Sequence, residues 1–459
     1  MKLIGRIAIV GLLATGLSSC HIYQKYELPS PEESAIVDKY RHALELPVDS
    51  TSLGNLPWER AFTDPQLQSL IRIALQNNKD LENARLNVEI AQAQLKGAKL
   101  SYFPSLAFAP NGGSASYGGS HMNWSYTLPL SASWEIDAFG KILNRKRGAQ
   151  VGVEQAAAYQ QATRSQIIGA VANTYYAIAA LKMQLEVSKQ TATLWEEQVK
   201  NIQLMMDAGR VNEAAVVQYR SNYYAVMASI PQLESALHQT QNTMSLLLNT
   251  FPQTWEVNAD MSFTPPTEIS EGVPFAYLAA RPDVRASERA FAVAYYATNS
   301  ARANFYPSLV ISAQGGFTNA IGSMISNPGK WFIQLAGSLT APIFSRGQNI
   351  ATLEAAKTQQ QQTLNNFEYS VLNAAAEVSD AMVSYNSNTE QQQYLSKQID
   401  ELERSVDVTN QLLMYGNGTY LEVVTAQQGL LQAQLSEINA WHSRVAALIS
   451  LYQSLGGGR

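Results

Sequence analysis

Side chains able to do covalent or coordination chemistry are few in this sequence, and they are poorly grouped. There is one cysteine, Cys20, so an intrachain disulfide is ruled out. Its thiol follows the apolar run Ile7 to Leu17 and is best explained as a point of lipid attachment. The five histidines, His21, His42, His121, His238 and His442, lack the spacing of metal ligands. Of the eleven methionines only Met205 and Met206 are adjacent, and core filling accounts for the rest. No phosphate-binding glycine loop, Ser/His/Asp order or isolated carboxylate pair is present, so an enzyme is not expected and no cofactor is implied.

Reversible polar chemistry is concentrated in two short stretches, Met206 to Glu213 and Tyr415 to Val424. Each joins two long helical segments, and the glycines in them, Gly209 in the first and Gly416 and Gly418 in the second, permit the positive φ that reverses the chain, with Gly209 and Gly418 taken as site candidates. Around them Asp207, Arg210, Tyr415, Tyr420 and Glu422 offer donors and acceptors for a latch of hydrogen bonds and ion pairs. Exposed pairs of this kind contribute about 0–1 kcal/mol each, so such a latch can be undone.

The most regular stretch is Asn123 to Ile136. Trp124, Tyr126, Leu128, Leu130, Ala132, Trp134 and Ile136 fall on one face of an extended strand, and Asn123, Ser125, Thr127, Ser131, Ser133 and Glu135 on the other. Rings sit at both ends of the apolar row, which marks Trp124, Tyr126 and Trp134 as membrane-interface aromatics. A soluble sheet also alternates, but here the pattern returns. Trp331, Ile333, Leu335, Leu339, Ala341 and Ile343 alternate with Gln334, Ser338 and Thr340, adding Trp331 as an interface aromatic. Shorter matches follow Pro104 and Pro307, which places strands at about 104–117, 122–137, 307–319 and 329–343. Four strands cannot close a barrel, and open edges are excluded from hydrocarbon, so several copies must share one barrel.

Residues 1–19 read as a signal peptide, with Lys2 and Arg6 before the apolar run. Residues 20–63, rich in Pro, Glu and Ser, read as an extended arm without a core of its own. A first repeat, 64–250, holds an initial helix, two strands, a long helix at about 140–207 and a helix at about 211–248. Unbroken, that long helix would measure about 100 Å. A linker, 251–273, precedes a second repeat, 274–459, with a long helix at about 345–415 and another at about 420–455. The tail Leu455-Gly456-Gly457-Gly458-Arg459 reads as a frayed end. Asp80 and Asp283, like Pro104 and Pro307, lie 203 apart, Phe139 and Phe344 lie 205 apart, and Gly209 and Gly418 lie 209 apart.

The net charge is −5, and losing Lys2 and Arg6 with the signal peptide brings the mature chain near −7, which gives no electrostatic reason to bind nucleic acid. Charged residues make up only 15%, replaced by Gln, Asn, Ser, Thr and Ala, a composition of long, weakly charged helices.

Leu17-Ser18-Ser19-Cys20 resembles the lipobox of bacterial lipoproteins, whose cysteine becomes the acylated first residue, for example with palmitate. His21 after it, rather than aspartate, points to the outer membrane. Together with Tyr102-Phe103-Pro104-Ser105-Leu106, Phe305-Tyr306-Pro307-Ser308-Leu309 and the doubled order of hairpin and long helix, the chain resembles the outer-membrane factor family, the TolC-like efflux channels, in their lipoprotein branch. The resemblance implies a mixed α and β membrane protein. In it a homotrimer, four strands from each chain, forms a twelve-stranded outer-membrane β-barrel continued by a periplasmic α-helical barrel. It implies a passive exit duct for drugs or other small toxic compounds, docked to a periplasmic adaptor protein and an inner-membrane RND-type transporter. The two turns become the periplasmic gate and adaptor-docking surface, with Glu422 standing where the family commonly has aspartate and Thr425 where it often has a second one. Two other readings stay open: the same channel serving type I protein secretion, and a lipid-anchored helical scaffold that never spans the membrane.

Overall fold

The computed structural model describes residues 21–45, 53–116, 118, 122–261, 263, 276–319 and 329–458, so Cys20 and the signal peptide lie outside the described residues. In chain order the helices are α1 (Ala35–Glu45), α2 (Trp58–Ala61), α3 (Pro65–Asn77), α4 (Lys79–Leu100), α5 (Lys141–Asp207), α6 (Glu213–Leu247), α7 (Ala276–Ala280), α8 (Pro282–Ala303), α9 (Gln348–Met414) and α10 (Tyr420–Ser454). The strands are β1 (Ser105–Phe108), β2 (Asn111–Ala115), β3 (Asn123–Ile136), β4 (Ser308–Thr318) and β5 (Lys330–Thr340). Helices match in length across the halves: α4 and α8 have 22 residues, α5 and α9 have 67, α6 and α10 have 35. Among the described residues no helix is long and apolar enough to cross a membrane. That observation concerns helices only.

The chain divides into two compact units. One gathers Met1–Ser30, Leu86–Ala157 and Arg285–Tyr369 and contains the sheet, ordered β1-β3-β4-β5 with antiparallel neighbours and β2 also paired to β3. The strand expected over 104–117 is in two pieces. Both keep a single register on β3, with Phe108 opposite Leu130 and Asn111 opposite Thr127. In the gap Pro110 meets the stretch containing Pro129, and neither proline has an N–H to give the ladder. The second hairpin ends at Thr340, short of the expected 343, because Pro342 follows.

Register places the apolar side chains on one face, in rows such as Leu128–Phe317–Trp331 and Ala132–Ala313–Leu335. Ser131–Gln314–Gln334 and Thr127–Thr318–Lys330 lie on the other. Among the described residues no layer covers the apolar face: Trp124 is 69% exposed, Trp331 72% and Leu335 76%. The chain enters this unit clamped: the Asn144 side chain donates to the Ile22 carbonyl at 2.8 Å, Arg147 to that of Tyr23 at 2.9 Å, and the Tyr23 hydroxyl to that of Ala138 at 2.6 Å.

The other unit gathers Pro31–Arg85, Ala158–Val284 and Ser370–Arg459. Here the coreless arm is corrected. Val37, Tyr40 and Ala43 of α1 are buried, α1 packs on α7, and Trp58 and Phe62 are buried as well. Polar composition hid a spacing of three residues that gives α1 one apolar stripe. Asp64 caps α3 by accepting the Gln66 N–H at 2.7 Å, and its other oxygen accepts the Tyr175 hydroxyl at 2.7 Å. The frayed tail is corrected too: Leu455 to Gly458 are buried. Ser165 Oγ donates to the Gly457 carbonyl at 2.5 Å and the Gly458 N–H to the Tyr452 hydroxyl at 2.8 Å. A Cβ at Gly457 would fall on the Tyr452 ring, so this crevice admits the backbone only where side chains are missing.

Candidate functional site

Two sites emerge, the turns joining the long helices and the rim of the sheet. The first turn, Ala208 to Asn212, closes α5 with the Gly209 N–H on the Met206 carbonyl at 2.8 Å and the Arg210 N–H on that of Met205 at 2.9 Å, Gly209 standing at φ +71°. This is a Schellman ending, which leaves no terminal carbonyl of that pair unpaired. Asn212 then caps α6 by accepting the Ala215 N–H at 3.3 Å.

The second turn, Tyr415 to Thr419, repeats that ending with Gly416 on Leu413 at 3.2 Å and Asn417 on Leu412 at 2.9 Å. Of the two glycines in this turn, the one with positive φ is Gly416, at +77°. Gly418 serves a different need: a Cβ there would sit 2.8 Å from that of Leu412. From Gly140 and Gly347 onward the two halves run 207 apart, so Gly209 pairs with Gly416. The match at 209 came from a second glycine two residues on.

Thr419 and Glu422 form a capping box, the Glu422 carboxylate accepting the Thr419 N–H at 2.8 Å and Thr419 Oγ1 the Glu422 N–H at 3.4 Å. Asp207 accepts from Gln203 Nε2 at 3.1 Å. Tyr415 is 82% exposed, and among the described residues Arg210 has no ion pair. Asp207, Arg210, Tyr415, Tyr420 and Glu422 thus make no hydrogen bond or ion pair with one another inside one chain. Tyr420 packs on the cluster that supports both turns, which includes Trp195, Ile202, Val216, Tyr219 and Val424. Trp195 meets Tyr219 edge-on, centroids 5.4 Å apart, and burial pushes the Tyr219 hydroxyl up to about 12. This aromatic pillar was legible only as two rings among many. The Gln428 side chain donates to Asn222 Oδ1 at 2.7 Å, tying α10 to α6.

A cleft of about 760 Å³ in the same unit, lined by charged and small side chains, is also absent from the sequence reading. Its walls include Arg281, Asp283, Glu377, Asp380, Gln166 and Ser443. Burial would raise the Asp283 carboxyl, but the Arg281 guanidinium overcomes that and holds it below the usual carboxylate range. Among the described residues no group of three or more His, Cys, Asp or Glu is placed to hold a metal ion.

At the sheet, Trp124 and Trp331 lie toward the end that carries the strand-to-strand loops, and Tyr126 is half-buried near them. Trp134 lies at the other end, its Nε1 donating to the Tyr102 carbonyl at 2.9 Å. The sheet is amphipathic, carries rings at both ends, and among the described residues ends on each side in a strand with a free edge, β1 and β5.

Comparison with known proteins agrees. Residues 70–250 and 274–457 match the family described as Outer membrane efflux protein. The cation efflux system protein CusC of Escherichia coli is 29% identical, over 98% of this chain and 97% of its own. The pyoverdine export outer membrane protein OpmQ of Pseudomonas putida is 27% identical, over 87% and 88%. A solved structure of CusC superposes with a TM-score of 0.83 at 25% identity, covering 95% of this chain and 99% of that one. The chain belongs to the outer membrane efflux protein family. It is the outer-membrane channel component of an efflux system, a passive duct and not an enzyme. Channels of this family are trimers that work with an adaptor and an inner-membrane pump.

Proposed function

We propose that three copies close one twelve-stranded barrel, four strands from each, and that α5, α6, α9 and α10 extend it as a helical conduit into the periplasm. The observation that carries this is the uncovered apolar face of a sheet ending in two open edges, β1 and β5. Lipid covers the one and neighbouring copies the other two. The opposite face, with Ser131, Gln314 and Gln334, lines a hydrated lumen that binds its cargo weakly, as conduction requires.

The conduit docks by its turns onto a periplasmic adaptor and an RND-type pump, and an acyl chain on Cys20 fastens each copy to outer-membrane lipid. Asp207, Arg210, Tyr415, Tyr420 and Glu422 latch the tip by contacts between copies, since none joins another within one chain. Gly209, Gly416 and Gly418 set the turn backbone that presents them. The cargo is a small toxic compound, organic or cationic: CusC is named for cations and OpmQ for pyoverdine. A strain lacking this chain should accumulate more of a fluorescent dye and become more sensitive to either organic toxicants or copper and silver salts. Unchanged accumulation and sensitivity in all these arms would refute the efflux role.

A further inference from the structure

Within one chain, Phe139 and Tyr306 stack where β3 and β4 leave the sheet, centroids 5.1 Å apart and planes 18° from parallel. The last ladder pair between these strands is Ile136 with Leu309. Phe139 stands three residues after the first and Tyr306 three before the second, so the stack continues the strand register beyond the last hydrogen bonds. Both rings are half-buried.

A similar pair of rings stands at the opposite edges of the sheet. Phe344 follows β5 by four residues where Phe139 follows β3 by three, and Phe103 precedes Pro104 and β1 as Tyr306 precedes Pro307 and β4. Among the described residues neither ring stacks on an aromatic partner of its own chain: Phe344 is 83% exposed, the adjacent Ile343 98%, and Phe103 68%. Strand directions alternate across the sheet, so β5 of one copy meets β1 of the next antiparallel. That brings the residues after β5 level with those before β1.

We infer that Phe344 of each copy stacks on Phe103 of its neighbour, forming between copies the aromatic staple that Phe139 and Tyr306 form within one. The inference rests on the trimeric barrel proposed above and adds its register: Phe344 opposite Phe103 sets Ala341 opposite Leu106 and Leu339 opposite Phe108. Continuity with the open edges favours a second copy over lipid as the occupant. A bare membrane contact would leave Phe103 and Phe344 independent.

The test is a double variant, F103C/F344C, in a Cys20→Ala background exported with an ordinary signal peptide, treated with a short bis-maleimide after the mass of the purified assembly is measured. The expected result is a trimer that runs as covalent trimer on a denaturing gel, while F103C and F344C alone do not ladder. In a second measurement F103A and F344A should each lower the temperature at which the trimer dissociates, and F103A/F344A should lower it by less than the two shifts added. A trimer that gives no ladder and additive shifts would overturn the staple and leave the channel reading intact. An assembly that is never trimeric would overturn the reading itself.

Discussion

Arg281 Nη2 lies 2.6 Å from Asp283 Oδ2 and 2.6 Å from Glu377 Oε2, joining the start of α8 to the middle of α9 through a guanidinium that is only 7% exposed. Arg281→Met leaves two carboxylates facing each other. The loss should be about 2 kcal/mol, below the cost of breaking a fully buried pair because both acids are half exposed. Thermal unfolding followed by circular dichroism would measure it.

The pH dependence follows from the lowered Asp283 carboxyl. A depressed folded value stabilises fully above the ordinary carboxylate value of about 3.9, and that contribution is lost as pH falls through the folded value. The native protein should therefore lose stability below about pH 4 more steeply than Arg281→Met, whose Asp283 titrates closer to normal. Parallel curves for the two proteins would contradict the assignment.

Glycines at two positions should respond with opposite sign. At Gly457 a methyl group would strike the Tyr452 ring, so Gly457→Ala should destabilise by about 1–3 kcal/mol. At Gly97, inside α4, a Cβ meets nothing within 4 Å, and Gly97→Ala should stabilise by about 0.5–1 kcal/mol. Equal melting temperatures for the two variants would show that the tail is not docked.

At the tip, Glu422→Gln keeps an acceptor for the Thr419 N–H while removing the charge, and Glu422→Ala removes both. The alanine variant should weaken the start of α10 by about 1 kcal/mol and the glutamine variant by much less. If the latch joins copies through charge, Asp207→Ala and Glu422→Gln should both raise single-channel conductance. Conductance that rises only in Glu422→Ala would make Glu422 a helix cap and nothing more.

Much of the sheet was legible because alternation is set by the strand itself: Trp124 to Ile136 had to share a face whatever surrounded them. The breaks were less legible. Pro110 and Pro129 split a ladder only because register brings them close, and register is a tertiary fact. Gly416 and Gly418 are indistinguishable by composition, and backbone conformation separates their tasks. The arm and the tail were misjudged for a common reason, that Val37, Tyr40 and Gly457 make sense only against partners far away in sequence. The proposed latch residues fall on or beside the two turns, and Glu422 is engaged locally by Thr419.

Sidedness of the sheet gives a paired test. Leu335→Arg puts a charge on the face assigned to lipid, at a cost of about 2–4 kcal/mol near the bilayer centre, whereas Gln334→Arg lies on the opposite face, the one proposed to line the lumen. The first should abolish heat-modifiable mobility in membranes and the second should leave it in place.

Planar-bilayer recording of the purified protein is the most direct measurement of the central claim. A trimer should insert to give discrete ion-conducting steps, and Gln334→Arg should alter their size or ion preference. A protein that stays monomeric, inserts without conducting, or conducts with steps indifferent to Gln334→Arg would contradict a hydrated barrel shared by three copies.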